Sequence, residues 1–254
     1  MATRVDPAGK RVLYFYGVSQ SQADALGSPG VDLKSPVEAL ECEKLICWIS
    51  RVPAEDFETN LNKNMENLDW LASASVAHQR AIAAVAAKTD ILPARFGTIF
   101  RDESSLLAHI REHANDFSKD FKRVKDADEW GVKVFAEEPA RTTIANVKTG
   151  KDYLKAKAAL LPRRRERSVK MDEDVVELRE ALETIAEETA PAGHISGGQR
   201  GLIFQSTLLV KRSQRARLES TLQKFAKRWN SVRRIECTGP WPPYSFVSRN
   251  GVGE

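Results

Sequence analysis

The first half of the chain passes from strand-like to helix-like hydrophobic patterns. Arg11–Val18 is an almost continuous run of β-favouring residues closed by a glycine, so it predicts a buried strand. Glu38–Val52 predicts a hairpin whose second strand begins at Leu45. Apolar residues at spacings of three and four then predict a helix over Asn64–Lys88. The members of this stripe are Leu68, Leu71, Ser75, His78, Ile82 and Val85.

A further helix is predicted after Asp102, whose side chain is suited to cap it. Its residues form one continuous apolar face. They are Leu106, Ile110, Ala114, Phe117, Phe121 and Val124. The charged stretch Lys125–Glu129 follows, and we place a domain boundary near Ala127. The expected domains are 1–127, of class α+β, and 128–254.

The second half repeats the alternation of strands and helices. Its order favours a ferredoxin-like α+β sheet with helices on one face, and a helical hairpin or one long bent helix within it. The predicted elements are strand Trp130–Ala136, helices Thr149–Leu161 and Met171–Thr189 around a basic break, a Gly-rich loop Ala190–Arg200, strand Gly201–Val210, a helix capped by Ser213 with the stripe Leu218, Leu222, Phe225 and Trp229, and strand Val232–Thr238.

Composition narrows the class of protein. The chain has 254 residues, of which 42% are hydrophobic, and its longest apolar run, Ala81–Ala87, is far shorter than the roughly 20 residues of a membrane span. Met1–Lys10 is polar and lacks the apolar core of a signal peptide, so we expect a cytoplasmic protein with no membrane partner. Cys42, Cys47 and Cys237 are too few for a disulfide framework and are expected to be thiols that fill the core.

The net charge of +4 conceals a block pattern. Arg163–Lys170 and Lys211–Arg234 are basic, whereas Asp172–Glu188 is acidic. Such blocks could bind nucleic acid, or the basic blocks could lie against the acidic one within the chain. Neither Trp130–Ala136 nor Gly201–Val210 carries the aromatic motif of an RNA-recognition strand. Nucleic-acid binding therefore remains an alternative and not the preferred function.

Two motifs approach catalytic patterns. His109–His113 matches the inverted zincin sequence, but Glu112 points away from the core and no third ligand is identifiable. A metallohydrolase built on His109 and His113 remains a second alternative. Gly193–Arg200 resembles a phosphate loop without its lysine and hydroxyl residue. We therefore expect no catalytic residue, metal or cofactor, and no enzymatic activity.

Two other segments are too particular for ordinary loops. In Leu92–Phe100 a proline and a glycine fix the path, and Arg95 stands among apolar neighbours, where it would pair with a carboxylate or with carbonyl groups. In Gly239–Phe246 three prolines stiffen the chain. Trp241, Tyr244 and Phe246 are expected to anchor this segment on the second domain.

Leu92–Phe100 resembles the LPxRFGTxF signature of the gas vesicle protein F/L family. Four other segments resemble that family in the same order along the chain: Ala77–Ile82, Glu129–Val134 (EWxVKV), Gly150–Lys157 (GxxYLxxK) and Gly239–Phe246 (GPWPPYSF). The signature residues, with a structural or a partner-binding role, are Pro93, Arg95, Phe96, Gly97, Trp130, Lys133, Tyr153, Pro240, Trp241, Pro242, Pro243 and Tyr244.

The resemblance implies two α+β domains, the second a modified ferredoxin-like fold. It implies an accessory protein for building gas vesicles, which binds the small hydrophobic shell protein and other accessory proteins and has no catalytic residue or cofactor. Location in the cytoplasm with gas vesicles follows, while the F or L branch and retention on the vesicle stay open. Met171–Thr189 is either an exposed helix that contacts the shell protein or a helix packed on its own hairpin partner.

Overall fold

The computed structural model describes residues 10–22, 27–136, 173–191, 199–230 and 232–248. The chain divides into two compact units, one of Met1–Glu129 with Pro240–Glu254 and one of Trp130–Gly239. The boundary near Ala127 remains a prediction about independently folding domains. The C-terminal residues, however, belong to the first unit and not to the second.

The first unit is built on an antiparallel sheet around a central strand. Its strands are β1 (Arg11–Ser19), β2 (Glu38–Cys42), β3 (Leu45–Pro53), β4 (Ile91–Pro93) and β5 (Ile99–Phe100). The order is β2-β3-β1-β4, and β5 also pairs with β1. The predicted first strand and hairpin are confirmed. Strands β4 and β5 were not predicted, because runs of three and two residues are too short to show an alternating pattern.

The predicted helix Asn64–Lys88 is two helices, α1 (Leu61–Glu66) and α2 (Leu68–Ala86). Asn67 separates them, and its side chain accepts two main-chain N–H groups of the first turn of α2 at 3.1 and 3.2 Å. The predicted stripe is buried from His78 onwards, but Leu68 at its start is 78% exposed. Hydrophobic spacing alone therefore predicted one continuous helix, and the N-cap at Asn67 divides it into two.

The next predicted helix is likewise divided, into α3 (Glu103–Glu112) and α4 (Ala114–Val124). Asp102 caps α3 as predicted, accepting a main-chain N–H at 2.7 Å. His113 ends α3 and precedes α4, and its backbone leaves the α-helical region (φ −101°, ψ 13°). Ala114, predicted on the buried face, is exposed as a result.

The core of the first unit lies between the sheet and α2. Tyr14, Tyr16 and Trp48 are wholly buried in it. The other members are Val12, Val31, Val37, Val52, Ala54, Phe57, Ala74, Ala81, Ile82, Val85 and Ile91. Single turns of π-helix at Glu55–Thr59 and of 3-10 helix at Tyr244–Phe246 complete the described part of this unit.

The second unit has the predicted ferredoxin-like order of elements. They are β6 (Ala127–Ala136), α5 (residues 173–183), β7 (Glu188–Ala190), β8 (Leu202–Lys211), a 3-10 turn (Arg212–Gln214), α6 (Arg215–Trp229) and β9 (Arg233–Trp241). In the described part of the chain the sheet order is β7-β8-β6-β9. This is the βαββαβ arrangement, so the α+β class and the fold type are confirmed.

Helices α5 and α6 bury their apolar faces in the core of this unit. Leu178 and Leu182 of α5 pack there with the four stripe residues of α6, as the spacing predicted. Two predictions about these helices are wrong. The helix over Met171–Thr189 ends at residue 183, and Glu188–Ala190 is a strand; Ser213 does not cap α6, which begins after Gln214 without a side-chain cap. Thr149–Leu161 lies outside the described residues.

Two expectations from composition can be compared with the structure. In the described ranges, no helix combines the length and apolar character that crossing a membrane requires. Cys42 and Cys47 are buried free thiols, as expected of core residues. Cys237 is exposed, so the expectation that it fills the core is wrong. It lies on β9, at the edge of the sheet.

Candidate functional site

The signature segment Leu92–Phe100 runs antiparallel along β1, with which β4 and β5 both pair, and forms a turn between these two short strands. Pro93 pairs with Gly17, and the N–H of Ala94 donates to the carbonyl of Tyr16 at 2.8 Å. A Cβ on Gly17 would stand 2.2 Å from the carbonyl oxygen of Leu92. The glycine at the end of β1 is therefore needed because the signature backbone runs directly against it.

The turn itself is held by main-chain groups. The carbonyl of Arg95 accepts the N–H of Thr98 at 3.2 Å and its hydroxyl at 2.9 Å. Gly97 has φ of 84°, a left-handed conformation that favours glycine. Its N–H donates to the hydroxyl of Tyr14 at 3.0 Å. The signature thus specifies the shape of a turn and its attachment to β1.

Tyr14 connects this turn to α2. Its hydroxyl oxygen accepts from Gly97, so its proton is available to Nδ1 of His78 at 3.0 Å. Burial lowers the pKa of His78 to about 4, against a smaller opposite effect of the Ala94 main chain. Burial also raises the pKa of Tyr14 above its ordinary value. Both groups are neutral near pH 7, and their bond fixes the turn against α2.

Phe96 and Arg95 have opposite surroundings. The ring of Phe96 packs against the first core. Its centre lies 5.6 Å from the ring centre of His78 and 6.4 Å from that of Trp70. Arg95 is exposed, and among the described residues its guanidinium has no ion pair or hydrogen bond. The prediction that Arg95 pairs with a buried carboxylate or with carbonyl groups is therefore wrong. It is a charged signature residue turned toward solvent.

The C-terminal signature packs on the first unit. Tyr244 contacts the first core and, with Tyr16, adds to the effect of burial on the pKa of Tyr14. Phe246 is 1% exposed, whereas Trp241 is 46% exposed. The prediction that this segment anchors on the second domain is wrong, and so is the anchor role for Trp241. Pro243 is buried, while Pro240 and Pro242 are more accessible.

Two carboxylates hold the C-terminal segment. Glu129 accepts the N–H of Ser245 at 2.7 Å and its hydroxyl at 3.0 Å. Asp120 accepts the N–H of Ser248 at 2.7 Å and its hydroxyl at 2.9 Å. Arg123 donates to Asp120 at 3.0 Å and also to the carbonyl of Phe246. Burial raises the pKa of Glu129, and the two bonds from Ser245 oppose that shift.

The structure therefore brings Phe96, Gly97 and Tyr244 together around Tyr14, whereas Pro93 lies against Gly17. Sequence reasoning missed Tyr14, which holds the turn, and it missed Glu129 and Asp120, which hold the C-terminal segment. One signal was present: Tyr14 and Tyr16 stand two positions apart on one face of a buried strand, where their hydroxyl groups require partners. Trp130 and Lys133 lie on β6 of the second unit, and Tyr153 lies outside the described residues.

Trp130 is buried in the second core, and the guanidinium of Arg215 stands 5.4 Å from its ring centre. Lys133 donates to the side chain of Gln199 at 3.4 Å. These contacts give both signature residues of β6 a place inside their own unit. Their roles toward a partner remain predictions.

The rings of the two histidines of the zincin-like motif lie beside each other, with their planes tilted by 36°. The ring centres of His109 and His113 are 4.4 Å apart, and Phe100 lies 5.2 Å from His109. Nδ1 of His113 is 3.0 Å from the carbonyl of His109. In the described ranges no set of three His, Cys, Asp or Glu side chains is placed to hold a metal ion.

The acidic and basic blocks of the second unit form ion pairs with each other. Arg228 makes two hydrogen bonds to the carboxylate of Glu177, at 2.9 and 2.8 Å. Arg233, whose side chain is 1% exposed, lies 3.5 Å from Asp174 and stacks over Trp229 at 4.6 Å. The acidic residues of α5 thus neutralise part of the basic C-terminal block, as the second interpretation of the charge pattern had it.

Comparison with known proteins places both units in one family. The family described as "Gas vesicle synthesis protein GvpL/GvpF" matches residues 12–248. Gas vesicle protein L of Streptomyces sp. (strain CB03234) is 32% identical, with 96% of this chain and 94% of the relative covered. Gas vesicle protein F of the same strain is 28% identical, with 92% and 98% covered.

Solved structures agree in fold. The crystal structure of gas vesicle protein GvpF from Anabaena sp. PCC7120 has a TM-score of 0.69 at 13% identity, covering 94% of this chain and 97% of that one. GvpF from Microcystis aeruginosa has a TM-score of 0.66 at 16% identity, covering 94% and 99%. Since the family match spans nearly the whole chain, the protein belongs to the GvpL/GvpF family of gas vesicle synthesis proteins.

Proposed function

We propose that this protein serves gas vesicle formation by binding the small hydrophobic shell protein and assisting its assembly. The observation that carries the proposal is the family match over residues 12–248, which includes both signature segments and both units. Relatives named gas vesicle protein L and gas vesicle protein F align over nearly their full lengths. The same role implies contact with other accessory proteins and location in the cytoplasm at the vesicle.

The physical need for such a protein is clear. A shell protein that faces gas exposes apolar surface, which aggregates in water before assembly. A binder that covers this surface delays aggregation until the subunit joins the shell. No cofactor or catalytic group is needed for this task, since apolar burial supplies the free energy of binding.

The first unit presents apolar side chains to solvent that could take part. Leu68 and Val76 on α2 are 78% and 54% exposed, and Ala72 lies between them on the same face at four-residue spacing. Large apolar side chains grouped on one exposed face are typical of protein contact surfaces. The face that the sequence suggested for this contact, on Met171–Thr189, is instead occupied in the second core, where Leu178 and Leu182 lie.

The nucleic-acid alternative has less support. Arg228 and Arg233, which lie in the basic C-terminal block, are engaged by Glu177 and Asp174 of the same unit. Fewer basic side chains of this block are then available to bind the phosphate groups of a nucleic acid. The metallohydrolase alternative rests on two histidines, one fewer than the three protein ligands of a catalytic zinc site, and the described part of the chain places no third ligand beside them.

Deletion of the gene in its host, followed by electron microscopy, tests the proposed role. We expect vesicles to be absent or much reduced, and to return when the wild-type gene is supplied on a plasmid. Normal vesicles in the deletion strain, with no related gene present, would contradict the role. Vesicles isolated by flotation and washed would show whether the protein is retained on them.

A further inference from the structure

Helix α2 has an exposed apolar face on the side that points away from the first core. Leu68 and Val76 on this face are 78% and 54% exposed. Ala72 and Ala83 are exposed as well, and the four residues follow one another at spacings of four, four and seven. Such spacings place them along one side of a helix. The described part of the chain leaves this side of α2 open to solvent.

Two residues of opposite charge flank the apolar face. Asp69 and Arg80 are both exposed, and the side chain of neither has an ion pair or hydrogen bond within the described residues. Because eleven residues make about three helical turns, the two side chains stand on the same flank of α2, about 16 Å apart along its axis. They are therefore too distant to pair within one chain. A second helix that carries the same two charges in reverse order would pair with both.

A second copy of α2 has this reversed order when it runs antiparallel. A two-fold axis that crosses the helix midway between Asp69 and Arg80 sets Asp69 of each copy beside Arg80 of the other copy. Two ion pairs then form, because a two-fold interface repeats every contact. In a parallel pair the same residues would place Asp69 beside Asp69 and Arg80 beside Arg80, which is unfavourable. The charges therefore specify the antiparallel arrangement.

The register that the charges specify also fits the apolar side chains. Leu68 of each copy then lies beside Ala83 of the other copy, where a methyl group leaves room for the larger side chain. Ala72 of each copy lies beside Val76 of the other, close to the axis. Small side chains at such positions let two helix axes approach to about 8 Å. Charge pairing and apolar packing thus select the same register of α2 on α2.

We propose that two copies of this chain associate through α2 as an antiparallel two-fold dimer, in which Asp69 of each copy pairs with Arg80 of the other and Leu68 is covered. The inference goes beyond the proposed function and does not depend on it. The contact runs over Leu68–Ala83, which is about 22 Å of helix. Because this is a small interface, we expect a weak dimer with a dissociation constant in the micromolar range. Shell protein that binds the same face would compete with the dimer.

Charge reversal tests the register of the dimer. Sedimentation velocity between about 5 and 200 μM gives the dissociation constant, after thermal melts have shown that each variant folds. Asp69→Arg sets arginine against arginine twice, so the dissociation constant should rise at least about tenfold, and Arg80→Asp should have the same effect. The double variant with both changes restores opposite charges and should return to within about threefold of wild type. The control Glu112→Arg changes an exposed residue of α3 and should stay within about twofold.

A substitution in the apolar face gives an independent measurement. Val76→Gln places an amide where apolar side chains meet and should raise the dissociation constant at least about tenfold. Val176, which is 41% exposed in the second unit, provides the matched control, and Val176→Gln should leave the constant within about twofold. All measurements are made with reductant, so that the exposed thiol of Cys237 cannot link two chains.

Four results would overturn the proposal. Wild-type protein that stays monomeric at about 200 μM shows no such dimer. A dimer that Asp69→Arg and Val76→Gln leave intact uses another face. A double variant as weak as the single reversals contradicts the antiparallel register. If Val76→Gln loses the shell protein but keeps the dimer, this face belongs to the shell protein. Because self-association is measured on the purified chain alone, failure of the proposed function leaves these results unchanged.

Discussion

Asp120 and Ser248 lie 128 positions apart in the chain and are joined by two hydrogen bonds, at 2.7 and 2.9 Å. The carboxylate of Asp120 is almost wholly buried, and Arg123 pairs with it. The pair fixes the last described residues of the chain to α4. The C-terminal signature is therefore part of the first unit, although it follows the whole second unit in sequence.

Replacing Asp120 should destabilise the first unit. Asp120→Ala removes the acceptor of two bonds from Ser248 and one from Arg123, and we expect a loss of about 2–3 kcal/mol in the free energy of unfolding. The control Asp116→Ala, on the same helix, removes only an exposed pair with Lys119 and should cost less than about 0.5 kcal/mol. Urea denaturation measures both. Equal losses would mean that the Asp120–Ser248 contact contributes nothing.

The signature turn should depend on its glycine and not on its arginine. Gly97→Ala places a Cβ in open space but at a left-handed φ, so backbone strain alone should cost about 1–2 kcal/mol. Arg95→Ala removes an exposed side chain and should change stability by less than about 0.5 kcal/mol. Thermal melts compare the two variants. A strongly destabilised Arg95→Ala would restore the structural role that the sequence suggested.

Stability should fall as the pH drops from about 6.5 to 4, in part because of His78. The pKa of His78 is lowered to about 4 in the folded protein, so in this range the unfolded chain binds a proton that the native state does not. The contribution lost across the range is about 3 kcal/mol. His78→Gln keeps a group that can bond to Tyr14 but does not titrate. Its stability should therefore fall less with pH than that of the wild type, and parallel curves would contradict the assignment.

The apolar face of α5 should be required for folding of the second unit. Leu178 is 0% exposed, so Leu178→Ala should cost about 2–5 kcal/mol. Val176, two positions earlier and 41% exposed, provides the control, and Val176→Ala should cost far less. Hydrogen exchange of the second unit measures both. If Leu178→Ala folds normally and only loses a partner, the face is a contact surface as first suggested.

The sequence predicted the long elements well because their patterns repeat several times. Enough apolar positions to show the period of a strand or of a helix are present in β1, in the β2–β3 hairpin and in the stripe of α6. The breaks at Asn67 and His113 were missed because a local cap or backbone change interrupts a pattern that remains periodic on both sides. Local polar bonding overrides spacing at such points.

The site was harder to predict, since its bonds join distant positions. The signature residues were found by resemblance, but Tyr14, Glu129 and Asp120, which hold them, form contacts over sequence separations of 83, 116 and 128 positions. No spacing rule reports such pairs. The same limit explains why Arg95 was expected to pair with a carboxylate or with carbonyl groups: apolar neighbours in sequence do not show on which side of a turn a side chain lies.

The affinity of the full chain for the shell protein, measured at about 50 and 200 mM salt, tests the central claim most directly. The account predicts binding that weakens only modestly with salt, because apolar burial supplies most of the free energy. A nucleic-acid-binding protein would instead lose roughly 10³–10⁵ in affinity for DNA or RNA over this range. Absence of binding to the shell protein at both salt concentrations, together with tight and steeply salt-dependent binding to nucleic acid, would contradict the account.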